Sequence, residues 1–207
     1  MGNVKVKICG ITNLKDAQKA VELGTDFLGF NFFEKSPRKV SPATAKEIIE
    51  KIYKRVKTVG VFVNEKPAQI NTIAKYCSLN FVQLHGTETP DFCEQIQVPI
   101  IKAFRVEDEG TFKQIDLFNT EYILLDAFEK GQFGGTGKEI KEEFLPLVKG
   151  LAARKKVFLS GGLTAENVHS LVQEIQPFAV DVASGIEVAL GIKGPEKMRL
   201  FITEAKR

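Results

Sequence analysis

Eight short apolar segments recur along the chain, separated by more polar stretches. They cover residues 4–8, 27–32, 58–63, 81–84, 100–104, 122–125, 157–159 and 178–182. These segments are rich in Val, Ile and Phe and almost continuously apolar, which is typical of strands buried on both faces of a parallel sheet. The pattern therefore predicts eight parallel strands.

Helix signals lie between the apolar segments. Thr12-Asn13 can cap a helix that Gly24 ends, and prolines at tolerated first-turn positions open several others. The predicted helices cover residues 14–23, 42–52, 67–76, 164–175 and 195–205. Alternation of strands and helices implies a parallel α/β fold. Eight units favour a closed (β/α)8 TIM barrel over a flavodoxin-like open sheet, which needs only about five.

Composition limits the classes of function that remain. The chain has 207 residues with no composition break, so residues 1–207 are expected to form one domain. A net charge of +3 and a pI near 8.6 are too mild to indicate a nucleic-acid partner, but they suit a small anionic substrate. No apolar stretch approaches a membrane span and no signal segment opens the chain. Three scattered cysteines and two histidines predict neither disulfides nor a metal site. A reduced, cytoplasmic protein without a membrane partner is expected.

Three glycine-rich turns follow the last three predicted strands. They are Gly134-Gly135-Thr136-Gly137-Lys138, Ser160-Gly161-Gly162 and Ala183-Ser184-Gly185. Glycine lets backbone N–H groups approach an anion closely, and the loops after strands seven and eight are the recurring phosphate site of this barrel. Each turn alone could be an ordinary turn that needs positive φ. Together they predict that a phosphate group binds here.

A thiol and a carboxylate end two of the predicted strands. Cys9 follows strand one and Asp126 ends strand six, so both should reach the face where such barrels carry their active sites. Side chains alternate along a strand, so Cys9 should share its face with Lys7 and Lys5, and a nearby ammonium lowers a thiol pKa toward neutrality. Asp126, among apolar neighbours, could hold a proton to donate. Alternatively, Cys9 is a small buried hydrophobe, as Cys77 and Cys93 are expected to be, and Asp126 caps a helix or lies in a solvated loop.

Other polar residues are candidates for the same face. Arg38 follows strand two, and its fork suits a carboxylate or phosphate, although a solvated charged loop is an equal alternative. His85 ends strand four and would either line the pocket or bond to the backbone. His169 is expected in mid-helix and exposed. Asp181 lies inside strand eight, where it would pair with an interior lysine such as Lys102 or line the pocket.

Motifs from one end of the chain to the other resemble those of the phosphoribosylanthranilate isomerase family. They are Lys7-Ile8-Cys9-Gly10-Ile11-Thr12, Gly60-Val61-Phe62-Val63-Asn64, Gln83-Leu84-His85-Gly86, Leu124-Leu125-Asp126, Gly134-Gly135-Thr136-Gly137-Lys138, Leu159-Ser160-Gly161-Gly162-Leu163 and Asp181-Val182-Ala183-Ser184-Gly185-Ile186-Glu187. The likeness runs from residue 4 to about 204. Its opening segment is highly specific, whereas many phosphate-binding barrels share the glycine turns.

The resemblance implies a cofactor-free barrel of tryptophan biosynthesis, acting on a small phosphorylated substrate. The family converts N-(5-phosphoribosyl)anthranilate to 1-(2-carboxyphenylamino)-1-deoxyribulose 5-phosphate by an Amadori rearrangement. By resemblance, Cys9 is the general base, Asp126 the general acid, and Arg38 holds the anthranilate carboxylate. The phosphate site would comprise the turns at Gly135–Gly137, Gly161-Gly162 and Ser184-Gly185. Many members have Ser-Ser-Gly where this chain has Ala183-Ser184-Gly185, a change that a backbone contact would tolerate.

Three alternatives remain at this point. The parallel isomerase of histidine biosynthesis ends its first strand in Asp rather than Cys, is longer and takes a bis-phosphorylated substrate. A different sugar-phosphate isomerase or epimerase is compatible with the fold, because folds host many chemistries. A non-catalytic phosphate-binding barrel would have no reason to keep the acid–base pair. The sequence leaves the oligomeric state open between monomer and homodimer.

Overall fold

The computed structural model describes residues 4–52, 55–127 and 140–207. Its eight main strands are β1 (Lys5–Ile8), β2 (Phe27–Asn31), β3 (Lys57–Phe62), β4 (Phe81–Leu84), β5 (Ile100–Val106), β6 (Tyr122–Ala127), β7 (Lys156–Leu159) and β8 (Ala179–Val182). The helices are α1 (Leu14–Glu22), α2 (Pro42–Ile52), α3 (Pro67–Tyr76), α4 (Pro90–Cys93), α5 (Glu109–Ile115), α6 (Leu145–Ala152), α7 (Val168–Ile175) and α8 (Pro195–Lys206).

The main strands close into a parallel barrel in chain order. Strand β1 pairs with β2 on one side and with β8 on the other, so Lys7 lies beside Asp181 across the closing seam. The predicted (β/α)8 barrel is therefore confirmed. Closure brings together residues from the two ends of the chain, which an open sheet would hold apart.

One helix begins later than its sequence pattern predicts. Residues 165–167 form a turn, and α7 begins at Val168 rather than at Thr164. The Asn167 side chain accepts a hydrogen bond from the Thr164 N–H at 2.8 Å and donates to the Gly162 carbonyl at 3.0 Å. Such local bonds give the backbone an alternative to the helix. They tie the start of α7 to the glycine turn after β7.

A small antiparallel hairpin after β8 was not predicted. It consists of β9 (Glu187–Ala189) and β10 (Ile192–Lys193), with Gly191 at a φ of 76° between them. Strands of three and two residues carry no readable alternation, so the polar and apolar pattern gave no signal for them. The hairpin lies beside the C-terminal ends of the barrel strands, because Leu190 and Glu187 adjoin the residues that line the cavity there.

Apolar side chains fill the barrel at the N-terminal ends of the strands. The interior cluster comprises Phe27, Val59, Ile101, Ala103, Leu124, Phe158 and Ala179, with Phe81, Tyr122 and Phe178 packed against it. The rings of Phe27 and Phe158 meet edge to face, with centroids 5.2 Å apart. A second, larger apolar layer lies between strands and helices and includes Cys77 and Cys93, as predicted for buried cysteines. Among the described residues, these side chains fill the N-terminal half of the barrel interior and leave the cavity at its C-terminal end.

None of the helices in the described ranges is both long enough and apolar enough to cross a bilayer.

Candidate active site

A cavity of about 620 Å³ opens at the C-terminal ends of the barrel strands. Most of the predicted site residues line it: Cys9, Arg38, His85, Asp126, Gly161, Gly162, Ser184 and Gly185. Gly135 and Gly137, predicted in the turn after β6, lie outside the described residues. Alternation along each strand explains the convergence, since every second side chain points into the barrel and the last one in each strand reaches its open end.

Cys9 has room at this end of the barrel because a neighbouring strand carries a glycine. A Cβ atom built on Gly29 of β2 would lie 2.7 Å from the Cys9 Sγ and 3.1 Å from its Cα. Real Cβ atoms do not approach so closely, so any side chain at position 29 would displace the thiol. Cys9 is partly exposed to the cavity. It is therefore accessible from the cavity, unlike the structural cysteines Cys77 and Cys93.

Two buried charges lie beneath Cys9. The Lys7 Nζ donates a hydrogen bond to the Asp181 Oδ1 at 2.8 Å, and the Lys7 side chain is fully buried. Burial lowers the pKa of Lys7, but the Asp181 carboxylate and the Cys9 thiol outweigh that effect, so the pKa is raised and the ammonium is kept. Asp181 thus both pairs with a lysine and lines the cavity.

The expected lowering of the thiol pKa is wrong for this structure. Burial raises the pKa of Cys9, and the nearby ammoniums of Lys7 and Lys193 oppose that rise without overcoming it. Lys7 is not a free positive charge, because the Asp181 carboxylate beside it largely neutralises it. Lys5, expected on the same face, is exposed and pairs with Asp26. The surroundings of Cys9 therefore favour its thiol form.

Asp126 lies on the opposite part of the cavity wall and is buried. Its Oδ1 accepts a hydrogen bond from the Ala127 N–H at 3.1 Å, while its Oδ2 lies 3.5 Å from the His85 Nε2. On the other side of that ring, the Gln83 Nε2 lies 2.8 Å from the His85 Nδ1. If this amide donates, the imidazole proton stays on Nε2 and faces Asp126. Asp126 is therefore neither a helix cap nor a solvated loop residue.

Arg38 is an ordered residue of the cavity wall rather than part of a solvated loop. Its Nε and Nη2 donate to the two carboxylate oxygens of Glu187 at 2.7 and 2.8 Å, and both side chains are largely buried. These hydrogen bonds raise the pKa of Arg38. Burial alone would raise the pKa of Glu187, but the bonds from Arg38 and the Lys193 ammonium bring it below its ordinary value. Sequence reasoning missed Glu187 and Lys193, because nothing in the pattern connects position 38 with the hairpin.

The two described glycine turns leave their backbone open to the cavity. Gly161 and Gly162 have φ values of 93° and 62°, which disfavour other residues. A Cβ atom on Gly185 would lie 2.1 Å from the Leu163 carbonyl oxygen, so the two turns pack directly on each other. Ser184 begins a short 3₁₀ turn beside them. Glycine is thus required here both for conformation and for close approach of the two loops.

Two further predictions are wrong. Lys102 does not point into the barrel: its Nζ lies 2.9 Å from the Glu88 Oε2, on the outer side of β5, and also donates to the Gly86 carbonyl at 2.9 Å. The interior positions of that strand are Ile101 and Ala103. His169 is not an exposed mid-helix residue, since it is the second residue of α7 and is half-buried. Neither residue belongs to the cavity.

Among the residues that the structure describes, no group of three or more His, Cys, Asp and Glu side chains could hold a metal ion. The polar groups that line the cavity include the Cys9 thiol, the Asp126 carboxyl group, the Arg38 guanidinium, the His85 imidazole and the backbone of two glycine turns. Such a set suits proton transfer on a small anion.

Comparison with known proteins gives one consistent result. The family model described as N-(5'-phosphoribosyl)anthranilate (PRA) isomerase matches residues 6–204. The N-(5'-phosphoribosyl)anthranilate isomerase of Pelobacter propionicus is 45% identical over 203 residues, covering 98% of this chain and 96% of the relative. The corresponding protein of Geobacter sulfurreducens is 44% identical and covers 98% of each chain.

Solved structures give the same result. Phosphoribosyl anthranilate isomerase from Thermotoga maritima aligns with a TM-score of 0.90 at 41% identity, covering 98% of each chain. A phosphoribosyl anthranilate isomerase solved in complex with reduced 1-(o-carboxyphenylamino)-1-deoxyribulose 5-phosphate aligns with a TM-score of 0.86, also at 41% identity and covering 98% of each chain.

Proposed function

Because the chain belongs to the N-(5'-phosphoribosyl)anthranilate isomerase family, we propose that Cys9 and Asp126 carry the two proton transfers of its reaction. The protein is an isomerase of tryptophan biosynthesis. The observation that carries the proposal is that a thiol and a buried carboxyl group line one cavity, beside an arginine and two glycine turns. The reaction needs one acid, one base and binding sites for the two anionic groups of the substrate, its phosphate and its carboxylate.

The proposed sequence begins at Asp126. In its protonated form it donates a proton to the furanose ring oxygen, the C1′–O bond breaks, and the anthranilate nitrogen lone pair forms the Schiff base. Cys9, as thiolate, then removes the proton on C2′, and the electrons of that bond give an enolamine. Tautomerisation of the enolamine, in which water protonates C1′ and takes up the hydroxyl proton, yields the ketose. Proton exchange with water then returns Cys9 to the thiolate and Asp126 to the acid. Each step moves a proton between a side chain or water and the substrate, so the electron count is conserved without a redox partner.

The base of the proposed reaction is the Cys9 thiolate. Burial raises the pKa of the Cys9 thiol, so the base forms when the partly exposed thiol gives its proton to solvent water, and that fraction of the protein then removes the C2′ proton. The Lys7 ammonium beneath it favours the thiolate, and its pairing with Asp181 keeps the cation in place at the bottom of the cavity. Lys7 therefore supports the thiolate from below, while the Asp181 carboxylate holds the lysine in position and offsets part of its charge.

The phosphate of the substrate would bind to the backbone N–H groups of the turns at Gly161-Gly162 and Ser184-Gly185. Positive φ at both Gly161 and Gly162 supports this, because such turns direct successive N–H groups toward one point. The resemblance to the family implies that Gly135 and Gly137 also contribute to phosphate binding. The ligand of the solved relative carries a phosphate and an aromatic carboxylate, and this cavity offers glycine turns for the one anion and Arg38 for the other.

Replacing Arg38 with alanine should weaken the binding of phosphoribosylanthranilate. Loss of a charge-assisted contact costs about 1.5–3 kcal/mol, so KM should rise roughly ten- to a hundredfold. Inhibition by inorganic phosphate, which needs only the glycine turns, should stay as in the wild type. Steady-state kinetics on the wild type and on Arg38→Ala give the KM for phosphoribosylanthranilate and the inhibition constant for inorganic phosphate. An unchanged KM would remove Arg38 from the substrate site and favour a plain sugar phosphate as substrate.

Replacing Gly29 with alanine should displace the Cys9 thiol, because the added methyl would lie 2.7 Å from its Sγ. Misplacement of a reacting group by about 1 Å costs ~10²-fold, so a shift of a few tenths of an ångström should lower kcat by about tenfold. Gly150→Ala is the matched control, since a Cβ there meets nothing within 4 Å and alanine is favourable in helix α6. Equal kcat values for Gly29→Ala and Gly150→Ala would contradict the placement of the base at Cys9.

Four expectations for this protein stay predictions: a single catalytic domain, no cofactor, a cytoplasmic location, and a monomeric or homodimeric state. The phosphoribosylanthranilate isomerase of Thermotoga maritima is dimeric, and monomers have been generated from it. Light scattering on the purified protein would decide between the two states for this chain.

A further inference from the structure

Glu187 forms the centre of a buried charge network beside the cavity. Both of its carboxylate oxygens accept hydrogen bonds from Arg38, and its Oε1 also accepts one from the Lys193 Nζ at 2.9 Å. Lys193 is 1% exposed and donates a further hydrogen bond to the Ala183 carbonyl at 3.0 Å. One carboxylate thus lies between two cations, both largely removed from water.

The hairpin that carries this network is fastened to the loop after β1. The Thr12 hydroxyl donates to the Gly191 carbonyl at 2.6 Å, and the Lys193 N–H donates to the Asp16 Oδ2 at 2.8 Å. Asp16 is itself buried in the first turn of α1 and accepts a second hydrogen bond from the Asn13 side chain. These hydrogen bonds fix the position of the hairpin, and with it the position of the Glu187 carboxylate against which Arg38 is oriented.

The aliphatic stem of Arg38 is also confined, by the backbone at Gly10. Gly10 has a φ of 74°, and a Cβ atom there would lie 2.6 Å from the Arg38 Cδ, so the arginine stem packs directly on the backbone. A guanidinium has five N–H donors in a rigid plane, and Glu187 uses one on Nε and one on Nη2. Within the part of the chain that the structure describes, the two N–H groups of Nη1 and the second of Nη2 have no such partner. They form the end-on edge of the fork, which can take a second carboxylate while the first stays bound.

We propose that Glu187 is a positioning residue that, together with Lys193, orients Arg38 so that its end-on edge recognises the carboxylate of the substrate. This inference rests on the proposed function, in which Arg38 binds the anthranilate carboxylate. The charge balance agrees with it. Burial lowers the pKa of Lys193, and its ion pair with Glu187 opposes that effect and favours the ammonium. With Lys193 charged, the three side chains carry one net positive charge, which the substrate carboxylate would neutralise.

Glu187→Gln tests the inference through the split between KM and kcat. The amide keeps the size of the side chain but loses the negative charge and one acceptor oxygen. Arg38 can then no longer donate hydrogen bonds to two carboxylate oxygens at once. KM for phosphoribosylanthranilate should rise about tenfold, while kcat and inhibition by inorganic phosphate stay close to wild type. Glu196→Gln is the matched control, because Glu196 pairs with Arg199 on the exposed surface of α8 and the change should leave both constants unaltered.

Combination with Arg38→Ala separates positioning from a general structural effect. If Glu187 acts only through Arg38, then Glu187→Gln should add nothing to KM in the Arg38→Ala background, so the two effects are non-additive. Should Glu187→Gln fail to fold because it leaves Lys193 unpaired, the double variant Glu187→Gln/Lys193→Met removes both charges and should show the same rise in KM.

The outcomes distinguish this inference from the function on which it rests. A raised KM in Arg38→Ala together with an unchanged KM in Glu187→Gln, or with fully additive effects, would overturn the positioning role and leave the proposed function intact. An unchanged KM in Arg38→Ala itself would overturn both the carboxylate assignment and the positioning role. A raised KM in each single variant with no further rise in the combination supports the proposal.

Discussion

Replacing Cys9 with serine should lower kcat by about 10²-fold or more, because a hydroxyl is a far weaker base than a thiolate. Serine is close in size to cysteine and the site beside Gly29 has room for it, so the free energy of unfolding should change little. Since phosphate and carboxylate contacts lie elsewhere, KM should stay near wild type. Stopped-flow or steady-state decay of phosphoribosylanthranilate fluorescence measures the effect.

Cys77→Ser is the control for this substitution. The Cys77 Sγ lies 3.4 Å from the Pro42 carbonyl, a contact that a serine hydroxyl can also make, and the residue lies in the outer apolar layer away from the cavity. Its kcat should equal that of the wild type. If Cys9→Ser turned over as fast as Cys77→Ser, another group would have to be the base.

Replacing Asp126 with asparagine should lower kcat by roughly 10²- to 10⁴-fold, since the amide has the same shape but no acidic proton to donate. Ring opening would then limit the rate. The hydrogen bond from the Ala127 N–H can be kept by the amide oxygen, so the strand end should hold its conformation. KM should change less than kcat, because neither anionic end of the substrate is assigned to Asp126.

Asp116→Asn is the matched control, because Asp116 pairs with Arg154 at the surface and both side chains are half exposed. Surface ion pairs contribute little, so its stability and kcat should be near those of the wild type. An Asp126→Asn variant that lost substrate binding but kept turnover would indicate a structural role for the carboxylate.

The architecture of the barrel could be predicted because it depends on local patterns. Eight nearly continuous apolar segments at regular spacing leave few alternatives to a closed parallel barrel, and proline and glycine fix several helix ends. The bounds of α2 and α3 agree with their predicted ranges. The hairpin of β9 and β10 could not be predicted, since its strands are too short for periodicity to appear and its position depends on bonds to Thr12 and Asp16.

The residues at the strand ends could also be predicted, because parallel strands carry their C-terminal residues to one face. The charges around these residues, and therefore their pKa values, could not be predicted. Lys7 and Asp181 lie 174 positions apart and meet only across the seam where β1 joins β8, so the sequence showed a free lysine beneath Cys9. Lys102 was assigned to the interior because a strand that is apolar on both faces does not reveal which alternate positions point inward. Register decides this, and register is a property of the closed sheet.

The orientation of Arg38 also depends on a long-range contact that the sequence does not show. The sequence presented a charged loop, and the fork of its guanidinium suggested an anion. The pairing with Glu187, 149 positions away, decides which edge of that fork is left for a ligand. Glu187 stood within a motif used for the resemblance, but no local signal distinguished it from an exposed acidic residue.

In the proposed function, this cavity isomerises phosphoribosylanthranilate with its own acid and base. The most direct test generates that substrate in situ and follows the loss of its fluorescence with purified wild-type protein in the presence of EDTA, with the product identified by chromatography. We expect rapid, complete conversion to 1-(2-carboxyphenylamino)-1-deoxyribulose 5-phosphate, at the same rate with and without the chelator. A rate no faster than that of the protein-free solution, or a product other than this ketose, would contradict it.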